Sequence, residues 1–249
     1  MTGDAILVAD LAGAAVAYAL AARRVRRWPR SRTGAFLAGL AVVGLALVVL
    51  DAPAHRTLSA HMVQHLLLAF VAAPLLVCGS PLALALRATG RRARRWLAGA
   101  ALAHPAVGWV ALPATMALTH FTGLYQAALE HPALHAAEHV AYLGAAALFW
   151  RPVLGADPVP HRPGTIGRLL YLVLAAGPLA IVGVALASSA RPWYAAYASR
   201  PGALADQHAA GAIMWVGGGL VLAALILVTT WAAVEREHRR RVAYEEAVT

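Results

Sequence analysis

Long apolar stretches separated by short polar breaks run along almost the whole chain. Each stretch has about 20 residues, which as a helix is long enough to cross a hydrocarbon core about 30 Å thick. The breaks contain turn formers, as in Trp28-Pro29, Ser80-Pro81 and Asp157-Pro158. The pattern predicts seven transmembrane helices, at residues 4–22, 33–51, 57–79, 97–120, 132–150, 167–190 and 206–232. We therefore expect an all-α polytopic membrane protein, a bundle of seven transmembrane helices in which residues 1–249 form a single domain.

Composition agrees with a membrane protein. Of the 249 residues, 61% are apolar and 13% are charged, which is too apolar for an ordinary soluble domain. The one cysteine, Cys78, excludes an internal disulfide framework and a CxxC metal motif. We expect Cys78 to be a small buried side chain near a helix end.

The arginines follow alternate apolar stretches. The chain has a net charge of +10 and no lysine. After the first, third, fifth and seventh stretches come Arg23, Arg24, Arg26, Arg27, Arg30, Arg32, Arg87, Arg91, Arg92, Arg94, Arg95, Arg151, Arg162, Arg168, Arg236, Arg239, Arg240 and Arg241. The other breaks receive Arg56, Arg191 and Arg200. Because positive residues stay on the cytoplasmic side, we expect the N-terminus outside and the C-terminus inside.

The same distribution bears on partners and compartment. The basic residues are spread over four loops, as the topology requires, so we expect no nucleic-acid partner. They should instead be attracted to anionic membrane lipid. No basic region precedes the first stretch, so we expect a retained helix there and not a signal peptide. The use of arginine as the sole basic residue besides histidine and the high alanine content suggest a GC-rich bacterial genome. We therefore expect the protein to lie in the bacterial cytoplasmic membrane. Tyr125, Tyr194 and Tyr197 fall in predicted outer loops, where amphipathic rings are typical of the membrane interface.

Histidines show the opposite asymmetry. Eight of the 11 fall at predicted outer ends: His55, His61, His65, His120, His131, His135, His139 and His208. His61 and His65 are four residues apart, so their side chains lie on nearly one helix face, about 40° and about 6 Å apart. Imidazole is costly near hydrocarbon, which makes this pair a candidate metal site.

The fifth stretch carries a matching set. His131, His135, Glu138 and His139 return to nearly the same helix face, and Pro132 suits the first position of a helix. Asp206 and His208 add a carboxylate and an imidazole at the outer end of the seventh stretch. For His55 and His120, interfacial capping and a functional role are equally supported. For the two i,i+4 pairs at matched depth, a bound ligand is the better explanation.

The histidines alone do not choose the metal. Imidazole suits zinc, copper, iron and nickel. Met62 and Met116 would favour Cu(I) if they pointed inward, although methionine in a membrane helix is more often plain packing. Glu138 is a candidate to orient an imidazole, to pair with Arg191 or to carry a proton.

Several motifs then resemble one family. The run from His61-Met62-Val63-Gln64-His65 to Gly79-Ser80-Pro81 resembles the signature of the bacterial CtaG family, the assembly factors of caa3-type cytochrome c oxidase. Similar motifs follow in order: Leu124-Tyr125, His131-Pro132, His135-x-x-Glu138-His139, Phe149-Trp150-x-Pro152, Asp157-Pro158, Asp206-Gln207, Ala210-Gly211 and Met214-Trp215. Ala73 departs from the family, which has the first proline of a Pro-Pro pair at this position.

The resemblance implies a membrane protein that helps to mature a haem-copper oxidase and delivers copper to it. On this basis we expect a copper site, with Cu(I) favoured and zinc as the alternative, whose core ligands are His61, His65, His135 and His139. The expected partners are an oxidase subunit in the membrane and a copper donor protein on the outer side. Candidates for handing the ion on are His131, His208 and Met62, and candidates for supporting the ligands are Glu138, Asp206 and Gln64.

Two other functions are compatible with the residues. His135-x-x-Glu138-His139 matches the H-x-x-E-H pattern of inverted zinc peptidases, so the chain could be a zinc-dependent membrane hydrolase with Glu138 as general base. Histidines on facing helices are also compatible with a b-type haem protein. A five-residue pattern with three fixed positions is a weak signal in a chain with 11 histidines, so we expect no enzymatic activity.

Overall fold

The computed structural model describes residues 2–90, 104–155, 157, 159 and 161–248, and within these ranges it contains helices and no strand. The helices are α1 (Thr2–Arg24), α2 (Arg30–Gly44), α3 (Asp51–Ala54), α4 (Leu58–Leu67), α5 (Ala73–Cys78), α6 (Pro81–Ala88), α7 (Pro105–Phe121), α8 (Leu124–Glu130), α9 (Pro132–Leu154), α10 (Thr165–Ser188), α11 (Ala195–Ala198), α12 (Ala203–Ala212) and α13 (Gly218–Val248). The all-α prediction is confirmed for this part of the chain.

Three short π-helical segments join helices into longer ones. Leu45–Val49 extends α2, Leu68–Ala72 joins α4 to α5, and Ile213–Gly217 joins α12 to α13. A π turn interrupts the i→i−4 ladder, so a carbonyl becomes available to a side-chain donor. The Gln64 amide donates to the Ala46 carbonyl over 2.9 Å, and the Trp150 indole donates to the Ala69 carbonyl over 2.7 Å. Buried side chains therefore stabilise two of these wide turns.

The helices form a closed ring with a hairpin outside it. Around the ring, α5 and the π segment Leu68–Ala72 pack on α9, α9 on α7, α7 on α10, and α10 on α12 and α13, while α12 returns to α4. The hairpin of α1 and α2 packs against α5 and α6. In their most apolar 18-residue windows, 6% of α1 is buried, against 50% of the segment Leu58–Ala88. The ring therefore holds the core, and α1 and α2 cover one side of it.

Among the described residues, five helical segments are long and apolar enough to cross a membrane: Asp4–Arg24, Arg30–Val49, Leu58–Ala88, Thr165–Ser188 and Ala203–Glu246. The predicted count of seven is not confirmed. In the fourth predicted span, residues 97–103 lie outside the described residues, and α7 has 17 residues. The fifth forms the 23-residue helix α9, whose histidines, Glu138 and Arg151 lower its hydropathy. Arg91, Arg92, Arg94 and Arg95 also lie outside the described residues.

The helices α10 and α12 cross at two glycines. A Cβ added to Gly183 would lie 2.7 Å from the Trp215 backbone nitrogen and 2.8 Å from the Gly211 carbonyl oxygen. Contacts this short leave no room for a side chain, so the two backbones touch directly. This crossing holds α12 against α10.

Two placements differ from the sequence-based expectation. Cys78 does end a helix, α5, but its side chain is exposed. Tyr125, Tyr194 and Tyr197, expected at the membrane interface, are 0%, 5% and 4% exposed. Loop position alone suggested an interfacial ring, whereas the segments α8 and α11 fold inward over the end of the ring and bury all three.

Candidate metal centre

The first imidazole pair lies at the start of α4, a helix whose first backbone N–H groups all have partners. The Asp206 carboxylate accepts the Leu58 N–H over 2.7 Å and the Ser59 hydroxyl over 2.5 Å. The Thr57 side chain accepts the Ala60 N–H over 3.3 Å. A carboxylate at a helix N-terminus also interacts favourably with the helix dipole. These bonds fix the start of α4 and therefore the depth at which its histidines lie.

His61 and His65 face the inside of the ring. Both are buried, with 0% and 3% of their surfaces exposed. Their Nε2 atoms lie 3.0 Å apart, so one ring donates an N–H to the other. Tyr197 places its hydroxyl 3.5 Å from Nδ1 of His61 while donating to the Ala54 carbonyl over 3.0 Å. The i,i+4 spacing therefore brings the two ligand atoms within direct contact.

The second set lies on α9, opposite α4. His131 is the N-cap and Pro132 opens the helix, which confirms the predicted start. His135, Glu138 and His139 are all buried. The ring centroid of His135 lies 5.2 Å from that of His61, and the centroid of His139 lies 5.6 Å from that of His65. The two pairs therefore face each other at one depth.

The ligand atoms converge into two overlapping groups. In His61, His65 and His139, and again in His61, His135 and Glu138, one atom from each residue lies within 4.8 Å of the others. Four of these residues have buried polar atoms that lack a hydrogen-bond partner: Nδ1 of His65, Nε2 of His135, Nε2 of His139 and both Glu138 carboxyl oxygens. A buried unpaired carboxylate or imidazole nitrogen is costly, and a cation held between them would remove that cost. The donor set therefore fits a metal ion.

His120 is a further imidazole at the edge of the cluster. Its ring centroid lies 6.2 Å from that of His65. Nδ1 lies 3.0 Å from the Met116 carbonyl oxygen, which can only accept, and 2.9 and 3.2 Å from the Thr119 and Tyr142 hydroxyls, so a proton on Nδ1 satisfies the carbonyl. Nε2 then carries a free lone pair, and it is buried without a partner. The Met116 carbonyl thus favours the tautomer in which Nε2 of His120 can bind a metal.

Three tyrosines surround the imidazoles. The Tyr142 ring stacks on His65 at 4.3 Å between centroids, and Tyr125 lies 5.3 Å from His120 and 5.1 Å from His61. The hydroxyl of Tyr197 is near His61, as described above. Sequence reasoning missed these residues because tyrosines near helix ends are also typical of membrane interfaces. For Tyr142, its position three residues after His139 on α9 was a usable signal.

Other predicted site residues lie elsewhere. His131 is exposed, and Nε2 of His208 lies 2.8 Å from the Ser189 carbonyl, away from the two groups. Met62 is fully buried and lines a small cavity with His65, Met116 and Met214. The contacts of Gln64 and Asp206 are with the Ala46 carbonyl and the start of α4, so both hold helices in place instead of orienting an imidazole.

The sequence profile of the family described as cytochrome c oxidase caa3 assembly factor (Caa3_CtaG) matches residues 16–236. The chain belongs to this family. The match includes α4, α7 and α9, so every histidine of the cluster lies within the matched residues. CtaG membership confirms the resemblance carried by the motifs around His61, His135 and Asp206.

Among curated relatives, a mycobacterial group is similar over most of this CtaG chain. Proteins of Mycobacterium bovis and Mycobacterium tuberculosis, both described as uncharacterized, are each 31% identical over 261 aligned residues, covering 90% of this chain and 37% of theirs. An uncharacterized protein of Mycobacterium leprae is 28% identical, covering 95% of this chain and 40% of its own. The chain therefore spans less than half the length of these relatives. No solved structure matches.

Proposed function

We propose that this CtaG protein binds a copper ion at the buried histidine cluster and delivers it to a haem-copper oxidase during assembly. The supporting observations are the convergence of ligand atoms from His61, His65, His135, Glu138 and His139, and the buried polar atoms without a hydrogen-bond partner on the last four of these residues. Such atoms are stable only when something supplies their missing partner. Family membership selects oxidase assembly as the purpose, and copper is the metal that the chain would carry there.

The arrangement suits transfer better than permanent storage. The two groups share His61, so a single ion can move between His61, His65 and His139 on one side and His135 and Glu138 on the other. Two or three imidazoles leave a coordination position open to an incoming ligand. The imidazoles His61, His65, His135 and His139 are the proposed core ligands of Cu(I), and zinc is the competing ion.

Topology completes the proposal. We place residues 1–249 in one domain of the bacterial cytoplasmic membrane, with α7 and α9 crossing alongside the five apolar spans, the N-terminus outside and the C-terminus inside. The cluster then opens to the outer side, where a copper donor protein would load it. The oxidase subunit would receive the ion laterally within the membrane. Reporter fusions that place residue 90 outside the cell would contradict this orientation.

The first prediction concerns metal content. Purified wild-type protein, loaded with Cu(I) under reducing conditions, should hold roughly one ion per chain, because both groups use His61. Alanine at His61, His65, His135 and His139 should abolish retention, measured by elemental analysis after gel filtration. His104→Ala combined with His238→Ala, two exposed histidines outside the cluster, is the matched control and should retain copper. Equal copper in the quadruple variant and wild type would contradict the proposal.

Two further measurements address the alternative functions. If the chain were a zinc hydrolase, zinc would be retained in preference to copper, and Glu138→Gln would abolish hydrolysis of a peptide or amide substrate while keeping the metal. If it were a b-type haem protein, the visible spectrum of the purified protein would show a haem band. The copper proposal requires neither result. The single variant His139→Ala keeps the metal test interpretable if the quadruple variant fails to fold.

A further inference from the structure

A large cavity connects the surface of the protein to the histidine cluster. It has a volume of about 620 Å³ and lies between the α1–α2 hairpin and α9. Polar residues line it in a series that includes Asp4, Asp10, Asp51, His55, His135 and His139. The first two of these lie on α1, outside the ring, and the last two belong to the proposed metal centre. The cavity therefore ends at the cluster.

The lining residues are exposed at the outer end of the cavity and buried at the cluster. Asp4 and Asp10 are exposed, and the side chains of Asp51 and His55 are 40% and 49% exposed. At the inner end, His135 and His139 are 9% and 8% exposed, each with an unpartnered buried Nε2. The cavity thus leads from solvent-accessible carboxylates to buried imidazoles with free lone pairs.

Neighbouring polar groups along this route are close enough for a cation to move between them. Nε2 of His55 lies 3.6 Å from a carboxyl oxygen of Asp51. The ring of His55 lies 5.6 Å from that of His135, and the ring of His135 lies 4.3 Å from that of His139. From Asp51 to His139, each polar side chain therefore lies next to the following one along the cavity.

Asp10 supplies an independent reason to expect a charged occupant. It lies in the second turn of Asp4–Arg24, a helix apolar enough to span a membrane. A carboxylate within such a helix is costly against lipid, and it is normally found facing a water-filled cavity or a partner. Here it faces the cavity that ends at the cluster. This placement gives Asp10 a role that lipid contact and helix packing do not explain.

We propose that this cavity is the vestibule through which a metal cation reaches the histidine cluster, with Asp51 and His55 as the first residues to bind it. Asp4 and Asp10 attract the cation, the Asp51–His55 pair receives it, and His135 passes it to the buried imidazoles. The inference rests on the proposed metal-binding function and adds to it a route and two residues. Carboxylates in a cleft with low-dielectric walls raise the association rate of cations by about 10- to 1,000-fold.

The test separates the rate of loading from the equilibrium amount bound. Detergent-purified protein is mixed with Cu(I) held by a coloured chelator, and the loss of chelator absorbance is followed in a stopped-flow instrument. In the triple variant Asp10→Asn/Asp51→Asn/His55→Gln, loading should be at least about tenfold slower, since two of the three carboxylates that line the cavity and the receiving imidazole have been removed. Copper bound per chain at equilibrium should equal the wild-type value. Added salt should slow the wild type more than the triple variant.

Glu130→Gln is the matched control. Glu130 is an exposed carboxylate on α8 that accepts a hydrogen bond from Gln126, and it does not line the cavity. Its substitution removes one negative charge from the same end of the protein and should leave the loading rate unchanged. The single variant Asp51→Asn, expected to load several-fold more slowly, serves if the triple variant does not fold.

Three outcomes would overturn the proposal. Equal loading rates in the triple variant and wild type would show that the cavity is not the route, although copper binding itself would stand. Loss of bound copper at equilibrium would show that these residues are ligands of the centre and not a vestibule. Absence of copper from wild-type protein would remove the metal-binding function and the vestibule together.

Discussion

Among single residues, Asp206 shows most clearly that the role expected from the sequence can differ from the role in the structure. Its place beside His208 suggested a carboxylate that supports a metal ligand. In the structure, it accepts the Leu58 N–H and the Ser59 hydroxyl at the start of α4. It therefore acts on His61 indirectly, by fixing the helix that carries it.

The role of Asp206 gives a prediction for stability. Asp206→Ala removes a helix cap and should lower the free energy of unfolding by about 0.5–2 kcal/mol. Asp206→Asn keeps one acceptor oxygen and should lose less, about 0.3–1 kcal/mol from the helix dipole. Denaturation in mixed detergent measures both. Copper bound per chain should not change at saturating copper, whereas a residue that supports an imidazole directly would lower it when substituted.

The same separation appears among the histidines. His61, His65, His135 and His139, selected by spacing, do meet in the ring. His208, selected by its place at a helix end, does not join them, and neither does His131, which is four residues before His135 but is the exposed N-cap of α9. Within one helix, a spacing of four residues fixes the relative positions of two side chains, so it can be predicted from the sequence. The position of a side chain in a loop cannot be predicted in this way, because the path of the loop depends on what it packs against.

At the scale of elements, close backbone contact holds α10 against α12. In the run Gly217-Gly218-Gly219, an added Cβ would lie 2.8 Å from the Leu66 side chain at Gly217 and 3.3 Å from the Phe70 side chain at Gly218, and would meet nothing within 4 Å at Gly219. The direct backbone contact occurs at Gly183 and Gly211 instead. A run of glycines shows where a close approach is permitted, and only the neighbouring helix decides where it happens.

This crossing leads to a prediction with an internal control. Gly183→Val should destabilise the protein by about 1–3 kcal/mol or more, because the added carbons meet the Trp215 backbone and force α10 away from α12. Gly177→Val lies on the same helix, where a Cβ would meet nothing within 4 Å, and should change stability little. Unfolding midpoints of the two variants compare them. Equal midpoints would argue against backbone contact at Gly183.

The π-helical segments also belong to this scale. Their carbonyls at Ala46 and Ala69 accept hydrogen bonds from Gln64 and Trp150. The sequence placed Gln64 near the metal site because it lies between two histidines, but a helix turns about 100° per residue. Gln64 therefore points to α2, away from the face that His61 and His65 share.

At the scale of the whole molecule, a bound ion would bridge elements far apart in the chain. His61 and His65 come from α4, while His135, Glu138 and His139 come from α9, the helix that neighbours the α4–α5 segment in the ring. An ion that binds only the folded form raises its stability by mass action. The cluster thus joins metal binding to the integrity of the bundle.

We expect this coupling to be measurable. At free Cu(I) about 100 times the dissociation constant, the free energy of unfolding should rise by about 2.7 kcal/mol, and a chelator should reverse the gain. The variant with alanine at all four core histidines should show no copper-dependent change in unfolding temperature. A similar rise in that variant would mean that copper stabilises the protein elsewhere.

Most of the helical architecture could be predicted from the sequence, because apolar runs of about 20 residues have few alternatives to helix in a membrane. The predicted boundaries at 4–22, 33–51 and 167–190 lie close to α1, to α2 with its π segment, and to α10. The last helix runs on to Val248, well past residue 232, because charged residues such as Arg236 and Glu237 favour helix as well as apolar ones do. Hydropathy marks a membrane boundary and not a helix end.

The sequence by itself determined the helical fold class, the family and the four imidazoles at i,i+4 spacing, since each depends on local periodicity or on ordered motifs. The tertiary structure decided which groups meet. It buried Tyr125, Tyr142 and Tyr197 around the imidazoles, oriented His120 through the Met116 carbonyl, and moved Asp206 and Gln64 to supporting roles. It also joined Asp10, Asp51 and His55 in one cavity. These relations depend on how helices distant in sequence pack together, which local spacing does not encode.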